Sequence, residues 1–204
     1  MGDVGNDIKE ALEEIGTLAV LTSDDSVSSY IKLSINNQAT KPFIREHFLQ
    51  AMIPYDTEFV PGNVIYVEEN DAHYILMNLT AEFFENETIR YNGVIYKCNV
   101  QSGEVLRYSG EVWDEDYQKR PVFTQVYTGL HALITEALYQ NRLDESQDFG
   151  LVDLKKQEFY IPKNYDIRVK DRVLVASGEY YAVNAIISHR YPGVNVLVLE
   201  EDTR

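Results

Sequence analysis

Two small β-barrels in tandem behind a short N-terminal helix, an all-β chain, is the fold class this sequence predicts, and three observations carry it. The first is a repeat: the stretch from Ile53 to Val67 (IPYDTEFVPGNVIYV) is echoed from Ile161 to Val175 (IPKNYDIRVKDRVLV) at a constant offset of 108. Each copy is followed by a tight turn, at Asn70-Asp71 or Ser177-Gly178, and a returning run, His73-Tyr74-Ile75-Leu76 or Tyr180-Tyr181-Ala182-Val183. The second is an upstream echo, in which Gly16-Thr17-Leu18-Ala19-Val20-Leu21-Thr22 lines up with Gly129-Leu130-His131-Ala132-Leu133-Ile134-Thr135, at an offset of 113. The third is composition: 15 Tyr and 8 Phe within a 45% hydrophobic chain suit short strands and are far from disorder. A duplicated unit has its own core in each copy, so the 204 residues divide into two domains. The boundaries read as 1–100 for the helix and first barrel, 101–120 for a structured connector, and 121–204 for the second barrel.

In chain order, Asn6 or Asp7 caps a helix that runs to about Ile15, with Ile8, Leu12 and Ile15 on one face and Gly16 ending it. Leu18–Leu21 and Tyr30–Ile35 read as strands, the second alternating polar and apolar as a sheet with one wet face requires. Asn36 to Pro42 is a polar loop. Phe43–Met52 has both periods and is read as strand through its counterpart Leu151–Tyr160, which alternates more clearly. Thr80–Asn86 reads as a turn with two exposed aromatics, and Ile89–Val100 as two strands around an Asn92-Gly93 hairpin turn. His131–Tyr139 has helical propensity, but its alignment with the Leu18 strand argues for a strand at its start. Asn141–Gly150 is an acidic loop, and Ala185–Ser188 with Val194–Leu199 close the second barrel around Tyr191-Pro192-Gly193.

Charge and motifs narrow the function. With 33 acidic and 18 basic residues the net charge is −15, which opposes gripping of a phosphate backbone but lets DNA slide past. A single cysteine, Cys98, excludes an intrachain disulfide, and its alternating context reads as a half-buried strand position. The first residues are charged where a signal peptide is apolar, and no run approaches the ~20 apolar residues of a membrane span. Cytoplasmic synthesis and no membrane partner are therefore expected. His47, His73, His131 and His189 lack metal-ligand spacing, and no phosphate loop, nucleophile elbow or dinucleotide fingerprint occurs. Asp114-Glu115-Asp116 beside Trp113 is the best acid-chemistry candidate, but carboxylates in one turn point apart into solvent. No catalytic residue, metal or cofactor is expected. What remains is surface: Phe83, Phe84, Trp113, Tyr117 and Tyr191 lie in or beside expected loops, either burying between subunits or covering the open ends of their own barrels. Asp24 and Asp25, in the polar stretch Ser23–Ser29, and Asp144, Glu145 and Asp148, in Asp144–Phe149, are candidates for channel or mating loops.

The run from Tyr160-Ile161-Pro162 through Asp171-Arg172-Val173-Leu174-Val175 to Gly178-Glu179-Tyr180-Tyr181-Ala182-Val183, closed by Val194–Leu199, resembles the head-closure (stopper) and related head-tail connector proteins of tailed bacteriophages. The first copy matches more loosely, with Pro61-Gly62-Asn63-Val64-Ile65 in place of the Asp-Arg-Val signal, and Ile89–Asn99 with Val105–Tyr108 is similar to a segment of connector proteins. The resemblance implies a structural virion protein of the neck, at the head-tail interface. Such a protein forms a homo-oligomeric ring, binds portal or adaptor protein above and tail proteins below, and passes DNA through its channel without tight binding. The duplication departs from single-barrel closure proteins and suggests six chains carrying twelve barrels, or a dodecamer. A tail-completion or baseplate part, or a cytosolic two-barrel ligand-binding module, are the alternatives.

Overall fold

The computed structural model describes residues 3–35, 48–113, 115–136, 157–176 and 179–202. Helix α1 (Val4–Ile15) begins ahead of the expected cap: the Asp3 carboxylate accepts from the backbone N–H groups of Gly5 and Asn6, two donors that no helical carbonyl reaches. Gly16 ends it as expected, its N–H bonding Leu12 O at 2.8 Å. Leu12 is buried, whereas Ile15 in the last turn is exposed.

The first unit, Met1–Cys98 with His189–Val194, is built on six antiparallel strands. They are β1 (Thr17–Leu21), β2 (Asp24–Ile35), β3 (Phe48–Pro54), β4 (Val64–Val67), β5 (Ala72–Phe84) and β6 (Glu87–Lys97). Their order is β1-β2-β3-β6-β5-β4, closed where β1 pairs with β4. Closure leaves the short strands without open edges. Strand alternation then sends one side of every strand inward, and Ala19, Ile31, Ile53, Ile65, Leu76 and Ile95 meet in one core.

The second unit, Asn99–Ser188 with Asn195–Arg204, repeats that topology. Strands β7 (Val100–Trp113), β8 (Lys119–Glu136), β9 (Gln157–Pro162), β10 (Arg172–Ala176), β11 (Glu179–Ile187) and β12 (Val194–Glu201) run in the closed order β7-β8-β9-β12-β11-β10. Each strand holds the place of the one six before it. Val105, Leu130, Phe159, Ile161, Val173 and Leu199 are among its core residues.

The repeat extends to individual bonds. Ile65 pairs with Tyr74 in the first barrel and Val173 with Tyr181 in the second. Asn63 Oδ1 accepts from Val60 N–H at 2.8 Å, and Asp171 Oδ2 from Arg168 N–H at 2.9 Å. Gly62 N–H bonds Leu76 O at 2.7 Å, and Lys170 N–H bonds Val183 O at 2.8 Å. The buried Phe59 and Ile167 occupy the same place in the two turns.

Several expectations differ from what is found. The upstream echo joins strands that are not counterparts, since Thr17–Leu21 of the first copy is β1 and Gly129–Thr135 lies on β8, whose topological counterpart is β2. The true counterpart of β1 follows from ring closure: Leu21 stands opposite Ile65, and Val105 opposite Val173. The described residues of 101–120 are therefore not a connector but most of β7, a turn and the start of β8, both strands of the second barrel. The Asn92-Gly93 pair makes no turn. It lies within β6, where a Cβ on Gly93 would stand 3.1–3.3 Å from the side chains of Ile53, Leu76 and Leu79. The turn is at Glu85-Asn86, both with positive φ (50° and 71°), as a two-residue hairpin loop of type I′ demands. The segment from His131 continues as strand to Glu136. The expected loops Asn36–Pro42 and Asn141–Gly150, together with residues 43–47 and 151–156 of the two expected strands, lie outside the described residues.

Candidate assembly surface

Among the described residues, the second barrel departs from the first most at its opening hairpin. The β7–β8 hairpin is far longer than its counterpart β1–β2, which turns at Thr22-Ser23. Strand β7 pairs with β10 over Glu104–Leu106, and beyond Leu106, among the described residues, it pairs with β8 alone, out to Trp113 opposite Lys119. From Arg107 to Trp113 and back from Lys119 to Thr124 the chain is thus a two-stranded ribbon continuing past the ring. Arg107 marks the departure point. Its guanidinium donates to Asp171 at 3.2 and 3.0 Å and to Asp166 at 3.2 Å. Asp171 is buried and also holds the Arg168 turn, so one carboxylate ties the ribbon's root to the repeated hairpin. Arg168 beside Asp166 holds that carboxyl below its usual range.

Trp113 (63% exposed), Tyr117 (87%), Val112, Tyr108 and Val122 stand out from the ribbon into solvent. By strand alternation Trp113, Glu111, Lys119, Pro121, Tyr108 and Phe123 share one face. On it Lys119 reaches Glu111 at 3.1 Å and stands 5.4 Å from the Trp113 ring centre. Nearer the barrel, Tyr108 packs edge-on against Phe123, and the Arg172 guanidinium lies 3.9 Å over the Phe123 ring. Two strands alone are marginal in water, so these contacts keep the root ordered while the tip remains open. Trp113 and Tyr117 were legible as surface aromatics. Tyr108, Val112 and Val122 were not, because the stretch read as a connector.

In the first unit, Phe83 and Phe84 end β5 beside the Glu85-Asn86 turn, both more than half exposed. Behind them Arg90 and Asn92 both donate to Glu82, at 2.7 and 2.9 Å, and hold its carboxyl low. Tyr191 is half-buried within the first unit, its ring edge-on to Tyr96 at 6.4 Å, so part of it covers its own barrel. Asp24 and Asp25 are exposed as expected, but they begin strand β2 rather than a loop. Asp24 accepts from the hydroxyl and backbone N–H of Ser26, which lowers its pKa. The register jump from Val20–Ser28 to Leu21–Asp24 leaves Asp25, Ser26 and Val27 bulged. Asp144, Glu145 and Asp148 lie outside the described residues.

Little reactive chemistry accompanies these surfaces. Cys98 is buried and its thiol is pushed up to about 12 by burial alone, so it stays protonated and unreactive. Burial lowers the pKa of His73, whose ring lies tilted against Tyr66, centres 5.1 Å apart. Among the described residues no three His, Cys, Asp or Glu are grouped to hold a metal ion. A polar cleft of 360 Å³ in the first unit lies between α1 and β2, but Lys9, its one cation, is already bound to Asp56 at 2.5 Å. No helix among the described residues is long and apolar enough to cross a membrane. Comparison of the chain with protein-family models, curated proteins and solved structures finds no match.

Proposed function

We propose that the chain is a structural subunit of the tailed-phage neck, assembling into a ring between portal or adaptor and tail that lines or closes the DNA channel. The observation that carries this reading is the β7–β8 ribbon. The two barrels share one strand order, and in the second the β7–β8 hairpin, far longer than its counterpart β1–β2, holds exposed Trp113, Tyr117 and Val112. Large aromatics held out on a ribbon are costly to leave in water and favourable to bury against a partner. The −15 charge agrees with a channel through which DNA passes without sticking. Six chains carry twelve barrels, which suits a twelvefold portal above and a sixfold tail below.

Light scattering after size-exclusion chromatography, with and without portal protein, followed by electron microscopy of the neck, tests the proposal. A ring that docks on portal is expected, with sixfold symmetry if the duplication serves the symmetry mismatch. Twelvefold symmetry keeps the neck assignment and removes that reason for the duplication. A monomer that ignores portal and takes a small ligand in the α1–β2 cleft overturns the assignment.

A further inference from the structure

Both barrels close, yet the second leaves hydrogen-bonding strand edges open on its ribbon. Among the described residues β8 pairs with β9 only over Leu133–Glu136, and its outer edge from Lys119 to Thr128 faces no strand. Gly129, at φ +66, bulges β8 between these two parts. On the other side, the outer edge of β7 from Arg107 to Trp113 likewise faces no strand among the described residues beyond β10. Proteins normally blunt such edges with charge or proline. Here Pro121 and the cations Lys119 and Arg120 stand at the tip, and from Val122 to Thr135 there is no Asp, Glu, Lys or Arg at all.

We propose that the outer edge of β8 over Val122–Thr128 pairs, antiparallel, with the outer edge of β7 over Arg107–Trp113 in a second copy of this chain, so that ribbons add side by side around the ring. This rests on the ring reading above and names its contact. Three features select a second copy as the occupant. A chain of charge −15 repels its own kind, and an uncharged run of β-formers is where two copies meet without that cost. The two open edges belong to one ribbon and run in opposite directions. A neighbour generated by rotation therefore presents β7 antiparallel to β8, the heterologous contact that a closed ring requires. Charges also match at equal height: Glu111 lies opposite Pro121 in its own ribbon, so a neighbour's Glu111 comes to the height of the tip cations Lys119 and Arg120, on the Lys119 face. Two-fold pairing of β8 with β8 would instead set those cations against the root of the other ribbon.

Hydrogen exchange on the full chain, as dilute monomer and as assembled ring, reads the contact directly. Amides in Val122–Thr128 and Arg107–Trp113 are expected to exchange roughly tenfold or more slowly in the ring. The variant Thr124→Asp/Thr128→Asp, at two exposed positions, is expected to lose the ring in light scattering while its melting temperature is unchanged. A ring formed equally by the variant, with wild-type amides still exchanging at the monomer rate, overturns the edge pairing and leaves the ring reading intact. A chain that stays monomeric with portal present overturns both. Protection of β8 that appears only on adding a different protein, without self-association, makes that protein the occupant and overturns copy-to-copy pairing.

Discussion

Lys170 occupies in the second barrel the left-handed turn position that Gly62 occupies in the first, 108 residues earlier: φ is +76° at the lysine and +95° at the glycine. The backbone bonds around the two are the same. A side chain in this region costs roughly 1 kcal/mol that glycine avoids. Lys170→Gly is therefore expected to raise stability by up to about 1 kcal/mol, seen as a higher urea midpoint. Gly62→Ala is expected to lower it by about 1–3 kcal/mol, because its Cβ would also stand 2.3 Å from the Gly193 carbonyl oxygen within the first unit. A neutral Gly62→Ala would show that this turn is not held as described.

Asn63 and Asp171 make the same side-chain bond to a backbone N–H three residues earlier, yet they are not equivalent. Asp171 also binds Arg107, and its side chain is 4% exposed. Asn63→Ala is expected to cost about 1 kcal/mol, the worth of one hydrogen bond. Asp171→Ala, which leaves a partly buried guanidinium with less compensation, is expected to cost roughly 2–3 kcal/mol. Asp171→Asn should recover the turn but not the ion pair and fall between them. Equal losses at Asn63 and Asp171 would remove the ribbon-root role assigned to Arg107.

Burial lowers the His73 pKa below the ordinary 6.5. The unfolded chain then takes up a proton at this residue before the folded one does, so folding is favoured at neutral pH and this contribution is lost as pH falls below 6.5. Nothing at this residue changes above that value. Denaturation of wild type and His73→Gln at pH 7 and pH 5 is expected to give curves whose separation changes with pH, the wild type losing more stability. A separation independent of pH would show that His73 titrates as in the unfolded chain.

Trp113 is the one tryptophan in the chain, and it is exposed at the ribbon tip. Its emission is expected to be that of a solvated indole in the dilute protein and to shift to the blue on assembly. Trp113→Ala is expected to change stability by less than about 0.5 kcal/mol, since the residue lies outside both cores, while weakening assembly. Emission that does not move while the ring forms would place the subunit contact elsewhere.

The repeat was legible because its determinants are local. In both copies an Ile-Pro strand end, a turn whose Asn63 or Asp171 side chain bonds the backbone three residues back, and alternating inward residues such as Ile65 and Val173 lie within a short stretch of chain. Chain order and these periods sufficed for two barrels and for the equivalence of Ile65 with Val173 and of Tyr74 with Tyr181, which take matching places in the two ladders. Tertiary structure alone decided which strands close the rings. The pairings of β1 with β4 and of β7 with β10 join segments far apart, and nothing in the local pattern of Gly16–Thr22 distinguishes a partner in β7 from the chance likeness of Gly129–Thr135. Gly93 shows the same limit: a missing Cβ looks alike whether it permits a turn or makes room for Ile53, Leu76 and Leu79. The open ribbon, too, exists only in the fold, because an edge is unpaired only once every other strand has found its neighbour.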